Sequence, residues 1–192
     1  MGVEVKLPRH RASYVKLDKP YPVKGTTKEA YSYVALFDTG ADLSELKEKA
    51  LQAAKDKWGD KAEAIIKHPK FKTPFKDQSD FVDADGEQRP GTKAGAIYLN
   101  LNHALKPLIL GPNAKEITDI RDFYSGCYAV AKCDCYAWEH EVGGKGITFS
   151  LLGVQKVAEG EKLGGSGARA EVSDFEAVEG AEVGDDANSV FA

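Results

Sequence analysis

"YAVAKCDCYAWEHEV", residues 128–142, alternates between large and small side chains along most of its length. A period of two is typical of a β-strand, because successive side chains of a strand point to opposite faces of the sheet. The glycine-rich GGKG at 143–146 then turns the chain, and the apolar ITFSLLGVQKV continues it at 147–157. The sequence therefore predicts a long terminal hairpin joined by a four-residue loop.

The small side chains of this stretch would all point to one face of the first hairpin strand: Cys127, Ala129, Ala131, Cys133, Cys135 and Ala137. We expect this face to fill the core with small apolar groups. The three cysteines are spaced C-x5-C-x-C, and His140 is the only candidate for a fourth ligand, which matches no recognisable zinc spacing. Their odd number argues against a disulfide framework. The sequence thus predicts no metal site and no cofactor.

The body around the hairpin is predicted to contain strands at 12–17, 29–37, 96–102 and 106–111. In the second of these, Tyr31 and Tyr33 share one face. Apolar side chains recur at helical spacing over 43–58, which predicts one inserted helix that begins after Asp42 and ends before Gly59. We expect Asp42 to cap this helix and Glu45 to reach back to the cap. One domain of residues 1–169 is expected, with the helix and a loop inserted at about 40–95.

A basic loop, defined here as residues 65–80 (IIKHPKFKTPFKDQSD), mixes lysines with phenylalanines between turn signals, and a polar turn is expected after it at 81–95. Large side chains also line the outward face of the first hairpin strand, although packing under a second layer would explain any one of these rings. Together the basic loop and this face favour a groove in which lysines follow phosphates and bases stack on rings. The candidate residues are Tyr31, Tyr33, Lys67, Lys70, Phe71, Lys72, Lys132, Tyr136, Trp138 and Lys145.

Charge divides the chain into two parts. The formal net charge is -4, but residues 171–192 contain seven acidic and no basic side chains, so the body carries a net charge of +3. A stretch of one charge sign that is poor in apolar residues cannot repay its ordering entropy, which predicts a disordered acidic tail over 170–192. Phe175 and Phe191 interrupt the tail, and an aromatic side chain in such a context is typical of a docking anchor.

Residues 123–165, followed by DFEAV at 174–178, resemble the C-terminal half of a phage-encoded family of single-stranded DNA-binding proteins. The matching features are Gly126-Cys127 before the strand, GKGI at 144–147, LLGVQ at 151–155 and GEKLGG at 160–165. The specific part of this resemblance spans roughly a quarter of the chain. The tails of such proteins commonly end on a compact acidic run and an aromatic residue, whereas GDDANSVFA dilutes the acids and places Ala192 after Phe191.

This resemblance implies an OB-fold, which is a five-stranded Greek-key barrel that binds nucleic acid across its strands. It also implies sequence-nonspecific binding of single-stranded DNA during phage replication or recombination, without enzymatic activity. The tail would then recruit replication or recombination proteins through Asp185, Asp186 and Phe191. The net negative charge does not exclude DNA binding, because the local field of the lysines that meet phosphates matters more than the net charge.

Two other function classes are open on the sequence alone. Asp38-Thr39-Gly40 after an apolar strand resembles the catalytic loop of retroviral aspartic proteases, but the helical pattern that follows Asp42 replaces the strand expected there. A non-catalytic interaction or virion protein would use the same aromatic face against another protein. No apolar run approaches the roughly 18 residues of a membrane span, and residues 1–11 lack a secretory apolar segment, so we expect a cytoplasmic protein, in the host cell if phage-encoded.

Overall fold

A computed structural model of the chain describes residues 2–23 and 26–164. Seven strands are present in this part: β1 (Val3–Pro22), β2 (Glu29–Leu36), β3 (Lys76–Asp77), β4 (Ile97–His103), β5 (Leu108–Leu110), β6 (Tyr128–His140) and β7 (Gly144–Ala158). The two helices are α1 (Ser44–Trp58) and α2 (Ala62–Ile66), with single 3-10 turns at Gly59–Lys61, Gln78–Asp80 and Ile120–Asp122. None of the described helices is long and apolar enough to cross a membrane.

Five of the strands close into a barrel in the order β1-β2-β4-β7-β6. β1 pairs antiparallel with β2 on one side and with β6 on the other. The barrel is closed by β4 and β7, which pair in parallel at Leu101 with Phe149 and at Asn102 with Ser150. The short strands β3 and β5 extend the sheet from β4 and β7. This confirms the predicted OB-fold-like, mainly β architecture, with a helical insertion after β2 in which the predicted helix α1 is followed by the short α2.

The barrel core contains the small face of β6, as predicted. The three cysteines are fully buried, Ala129 and Ala131 are at most 2% exposed, and they pack with large residues of the other strands such as Leu99, Leu101 and Phe149. Burial raises the pKa of the Cys135 thiol to about 12 and that of Cys133 further still. These thiols are therefore neutral groups that pack in the core.

Helix α1 occupies the predicted segment and packs against β1, β6 and β7. Its buried face, which includes Leu46, Ala50 and Ala54, joins the barrel core. The predicted cap differs in detail, because Leu43 occupies the N-cap position and makes no side-chain cap bond. Asp42 lies one residue earlier and accepts a hydrogen bond from the Ser44 backbone N–H (2.9 Å); hydrogen bonds from Ser44 keep the pKa of that carboxyl below its usual range.

The terminal hairpin is confirmed, but its turn lies earlier than predicted. His140 pairs with Gly144, so the loop contains the three residues 141–143, and Gly144 to Gly146 belong to β7. The reason is the pairing of Trp138 with Gly146, since a Cβ on Gly146 would lie 2.7 Å from the indole ring. The glycine-rich segment therefore makes room for the tryptophan, and only the turn of the chain at Gly144 (φ 82°) uses the backbone freedom of glycine.

β1 is much longer than the predicted strand at 12–17. Its N-terminal half pairs with β6 despite Pro8, because the pairing is interrupted between Leu7 and His10. A proline without an N–H fits such an irregularity. A second interruption, in the pairing with β2, lies between Ser13 and Lys16, where Tyr14 has a positive φ of 48°. These irregularities interrupt the alternation of side chains along β1. The sequence pattern therefore does not show the full length of the strand.

Candidate nucleic-acid interface

The basic loop lies alongside the start of β7. The Lys72 N–H donates to the Lys145 carbonyl (2.9 Å), and the Ile147 N–H donates to the Lys72 carbonyl (3.3 Å), which makes a parallel bridge between Lys72 and Gly146. Four residues further on, Lys76 pairs with Tyr98 of β4. The loop thus crosses from β7 to β4 at the end of the barrel where these two strands no longer pair with each other. Main-chain hydrogen bonds therefore fix Lys72 and Lys76 at the barrel surface.

Trp138 lies at the centre of this arrangement. Its ring packs over Gly146, and the Lys72 ammonium lies 5.7 Å from the ring centroid, within the range of a cation–π contact. Tyr136, two residues earlier on the same outward face of β6, is 39% exposed. The structure therefore places Lys72, Trp138 and Lys145 close together, with Tyr136 next along the strand.

Phe71 and Lys70 border a cavity of about 460 Å³ between the basic loop and the hairpin turn. Its lining is mostly apolar and includes Ile65, His68 and Lys145. Phe71 is half-buried and meets Trp58 edge to face at a centroid distance of 6.3 Å, so part of its ring holds the loop against α1. Lys70, which lines the cavity, and the nearby Lys67 are both exposed.

The lysines differ in their ionic partners. Lys145 pairs with Glu139 (2.9 Å), and Lys132 pairs with Glu4 (2.8 Å). The contacts with Lys145 and Trp58 keep the pKa of the Glu139 carboxyl below its usual range. Within residues 2–23 and 26–164, Lys67, Lys70 and Lys72 make no ion pair with a carboxylate. Exposed ion pairs contribute little free energy, so a phosphate can replace either carboxylate at small cost.

Lys132 lies apart from the Trp138 region. It faces outward on the same strand, but six residues separate it from Trp138, which corresponds to about 20 Å of extended chain. Its neighbours are Glu4 of β1 and Gly153 of β7. A DNA strand would have to run along β6 to meet both positions.

The two tyrosines of β2 do not join the hairpin group. Tyr33 is 1% exposed, and its hydroxyl hydrogen-bonds the Nε2 atom of His10 (2.8 Å) inside the barrel, so it is a core residue and our assignment of this ring to base stacking is wrong. The cause is that both faces of β2 are covered, since Val34 and Leu36 pack in a second cluster on the outside. Tyr31 is half-buried against the core and pairs with His103, at the far end of β4.

A second group of rings and cations, which the sequence did not indicate, lies outside β1 and β4. Phe81 is 4.8 Å from Tyr98 and 5.6 Å from Tyr14, measured between ring centroids. The Arg89 guanidinium lies over the Tyr14 ring at 4.5 Å and donates to the Tyr14 hydroxyl, while the Lys76 ammonium is 5.8 Å from Tyr98. We call these five residues the Tyr14 cluster. Their contacts join distant parts of the chain, so the segment 81–95 does more than form the polar turn that its composition predicts.

A known protein family matches the chain over most of its length. The family described as "Enterobacter phage Enc34, ssDNA-binding protein" matches residues 3–187. This chain belongs to that family. A curated relative, protein p50 of Acyrthosiphon pisum secondary endosymbiont phage 1, is 30% identical over 186 residues, which cover 94% of this chain and 96% of the relative.

Solved structures of phage proteins share the fold. The single-stranded DNA-binding protein from bacteriophage Enc34 in complex with ssDNA superimposes with a TM-score of 0.68 at 24% identity, over 84% of this chain and 89% of that one. The gp2.5 single-stranded DNA-binding protein of bacteriophage T7 gives 0.59 at 12% identity, over 96% and 100% of the two chains. These similarities establish the OB-fold-like barrel.

Neither the family nor the structure supports the protease or the virion interpretation. Asp38 is exposed after β2 and pairs with Lys93 (2.5 Å), and the segment that follows it leads into α1. An exposed carboxylate held by a lysine is not one of a pair of carboxylates that share a proton. The predicted partner-binding residues Asp185, Asp186 and Phe191 lie outside the described residues.

Proposed function

We propose that this protein binds single-stranded DNA with little base preference and protects it during phage replication or recombination. The observation that carries the proposal is the basic loop, which main-chain hydrogen bonds hold beside Trp138 in a member of a phage ssDNA-binding family. Lys67, Lys70, Lys72 and Lys145 would contact phosphates. Trp138 and Tyr136 would stack on bases, and stacking is tolerant of sequence because every base has a π-face.

The proposed interaction requires no covalent chemistry, so we expect a binding protein without catalytic activity that acts in the host cytoplasm. Lys132 and Tyr31 are candidates for the outer ends of a longer path over the barrel. The acidic tail would recruit replication or recombination proteins through Asp185, Asp186 and Phe191, because an aromatic residue beside acids is a recurring recognition motif for basic partners.

A salt titration of oligo(dT) binding tests the proposal. Trp58 and Trp138 are the two tryptophans, so the Trp58→Phe variant leaves Trp138 as the only indole reporter. We expect oligo(dT) to change the Trp138 fluorescence, and the affinity to fall steeply with salt as phosphate contacts release counterions. Trp138→Ala should weaken binding by about 1–3 kcal/mol in a protein that remains folded. Salt-independent binding, or a strong preference for duplex DNA, would contradict the proposal.

A further inference from the structure

We propose that a cavity on the outside of β1, between Tyr14 and Tyr124, is a nucleobase-binding subsite for the bound DNA strand. The inference rests on the proposed function and adds a contact region that is separate from Trp138 and the basic loop. The cavity has a volume of about 500 Å³ and is lined by Tyr14, Pro90, Tyr124, Ser125 and Lys162 together with neighbouring residues. This volume is in the range of pockets that hold small organic ligands.

The first wall is a tyrosine ring that β1 presents outward at a cost in backbone energy. Tyr14 has a φ of 48°, a left-handed conformation that side chains with a Cβ rarely adopt, and it lies where the pairing with β2 is interrupted. The ring is 41% exposed, whereas its neighbour Ser13 is buried. Residues held in such a conformation occur preferentially at functional sites. A buried structural role would not explain why this ring faces the solvent.

The second wall is held rigidly. The Tyr124 hydroxyl donates its one hydrogen to a Glu159 carboxylate oxygen (2.6 Å), lies 2.9 Å from the Gly160 carbonyl oxygen and accepts a hydrogen bond from the Gly160 N–H (3.3 Å), which fixes the position of its ring. The ammonium groups of Lys156 and Lys162 lie 5.0 and 5.7 Å from that ring. Both rings are already held in place in the free protein. A base can therefore stack on them with little further loss of side-chain entropy.

Two cations without a carboxylate partner among the described residues, Arg89 and Lys162, lie beside this opening. Arg89 covers Tyr14 at 4.5 Å and Phe81 at 5.3 Å, and Lys162 lines the cavity itself. The carboxylate that reaches Tyr124, Glu159, is already paired with Lys156 at 2.7 Å. A base that stacks on Tyr14 therefore brings its phosphates near Arg89 and Lys162. Guanidinium and phosphate groups form strong paired hydrogen bonds, so Arg89 can exchange its contact with the ring for a contact with DNA.

The chemical class of the ligand follows from these features. An aromatic base suits the tyrosine rings, and an anionic link between sugars suits Arg89 and Lys162. The Tyr14 cluster also continues through Phe81 and Tyr98 to Lys76, which is the residue where the basic loop reaches β4. One DNA strand can therefore run from the hairpin region, over β4, to the cavity on β1.

The Tyr14→Gly substitution is the test, because glycine accepts the positive φ at this position while it removes the ring. In the full-length protein, we expect oligo(dT) affinity by fluorescence anisotropy to fall between about 5-fold and 150-fold, the loss of one stacked base. Tyr14→Phe keeps the ring and should bind like the wild type. Circular dichroism melting should show that Tyr14→Gly remains folded. Wild-type affinity in a folded Tyr14→Gly protein would overturn the subsite but not the proposed function, which fails only if the wild type does not bind.

Two further measurements are needed. One tests whether Arg89 contacts DNA or acts only through the net charge, and the other tests whether Tyr14 binds DNA or the acidic tail. Arg89→Ala should reduce the dependence of the affinity on salt, whereas Lys115→Ala, an equal loss of charge at an exposed loop position, should leave it unchanged.

Because Gly164 lines the cavity and the chain continues from there into the tail, Tyr14→Gly is also measured in a protein without residues 171–192. An effect of Tyr14→Gly that disappears in the shortened protein would show that the ring holds the tail rather than DNA, and would overturn the proposal.

Discussion

His10 is a histidine inside the barrel whose two ring nitrogens both have partners. The Pro8 carbonyl accepts a hydrogen bond from Nδ1 (2.8 Å), and Nε2 then accepts one from the Tyr33 hydroxyl (2.8 Å). This arrangement uses the neutral imidazole. Burial lowers the pKa of His10 to about 4, and the hydrogen bond to Pro8 acts in the opposite direction. The folded barrel therefore binds a proton at His10 less readily than the unfolded chain does.

The stability of the protein should consequently fall in mildly acidic solution. The unfolded chain binds a proton at His10 below pH 6.5 and the folded protein only below about 4, so the free energy of unfolding decreases as the pH falls through this window. We expect a loss of about 2 kcal/mol between pH 7 and pH 5, measured by urea unfolding. His10→Gln, which does not titrate, should abolish this part of the pH dependence. If the free energy of unfolding depends on pH equally steeply in that variant, other titratable groups cause the dependence.

Tyr33 illustrates which part of the site the sequence can predict. Alternation placed Tyr31 and Tyr33 on the same face of β2, and this is correct. Alternation could not decide which face points inward, because Val34 and Leu36 make the other face equally apolar. On β6 the inward face was predictable, because small residues on one face alternate with Lys132, Tyr136 and Trp138 on the other. A strand covered on both sides thus conceals the orientation of its rings.

At the level of strands and loops, the close contact between β7 and the basic loop depends on Gly146. A Cβ at this position would lie 2.7 Å from the Lys72 carbonyl oxygen and equally close to the Trp138 ring. The absence of a side chain therefore allows three elements to meet: β6 with its tryptophan, β7, and the loop that carries the lysines.

Gly146→Ala should separate these elements. The new methyl group must displace the Lys72 backbone or the indole, and overpacking of this kind costs about 1–3 kcal/mol of stability. We expect urea unfolding at lower concentration, faster cleavage by trypsin at Lys67 to Lys72, and weaker binding of oligo(dT). Gly111→Ala is the matched control, because its Cβ would meet its nearest neighbour at an ordinary 3.5 Å. Equal behaviour of the two variants would show that the loop does not need the Gly146 contact.

The positions of the main elements were predictable from short-range patterns. Helix α1, the strands β4 and β5 and the terminal hairpin lie where periodicity placed them. The hairpin turn was misplaced because three glycines in GGKG resemble a loop, while Gly146 in fact admits Trp138 and the backbone of Lys72. The N-terminal half of β1 was missed since Pro8 and the irregularity between Leu7 and His10 interrupt its alternation. Contacts between distant residues decided both cases.

On the scale of the whole molecule, charge separates the barrel from its tail. Residues 171–192 supply seven negative charges, and the last described residue, Gly164, lines the cavity beside Tyr14. An acidic stretch tethered to the barrel through Gly164 can compete with DNA for the same cations. The fraction of protein that is free to bind then falls, and with it the apparent affinity.

Deletion of residues 171–192 should therefore tighten DNA binding. The net charge changes from -4 to +3, and the gain in affinity should be largest at low salt, where screening is weakest. Binding isotherms of the full-length and shortened proteins over a salt series measure the effect. A full-length protein with Asp185→Asn and Asp186→Asn tests whether the gain in affinity comes from removing the charge of the tail or from shortening the chain. Equal affinities at low salt would rule out competition, and weaker binding after deletion would mean that the tail belongs to the binding surface.

The parallel pairing of β4 with β7 also determines when during synthesis the protein can fold. β1 leaves the ribosome first, but Val3 pairs with Cys135, and the barrel cannot close until Phe149 and Ser150 of β7 reach β4. Strands that wait for distant partners expose unpaired edges, and such topologies fold slowly. Trp138 on β6 and the bridge between the basic loop and β7 reach their places only in this final step, whereas β1, β2 and β4 can pair with one another before it. The proposed contact surface around Trp138 therefore forms only after β7 has been translated.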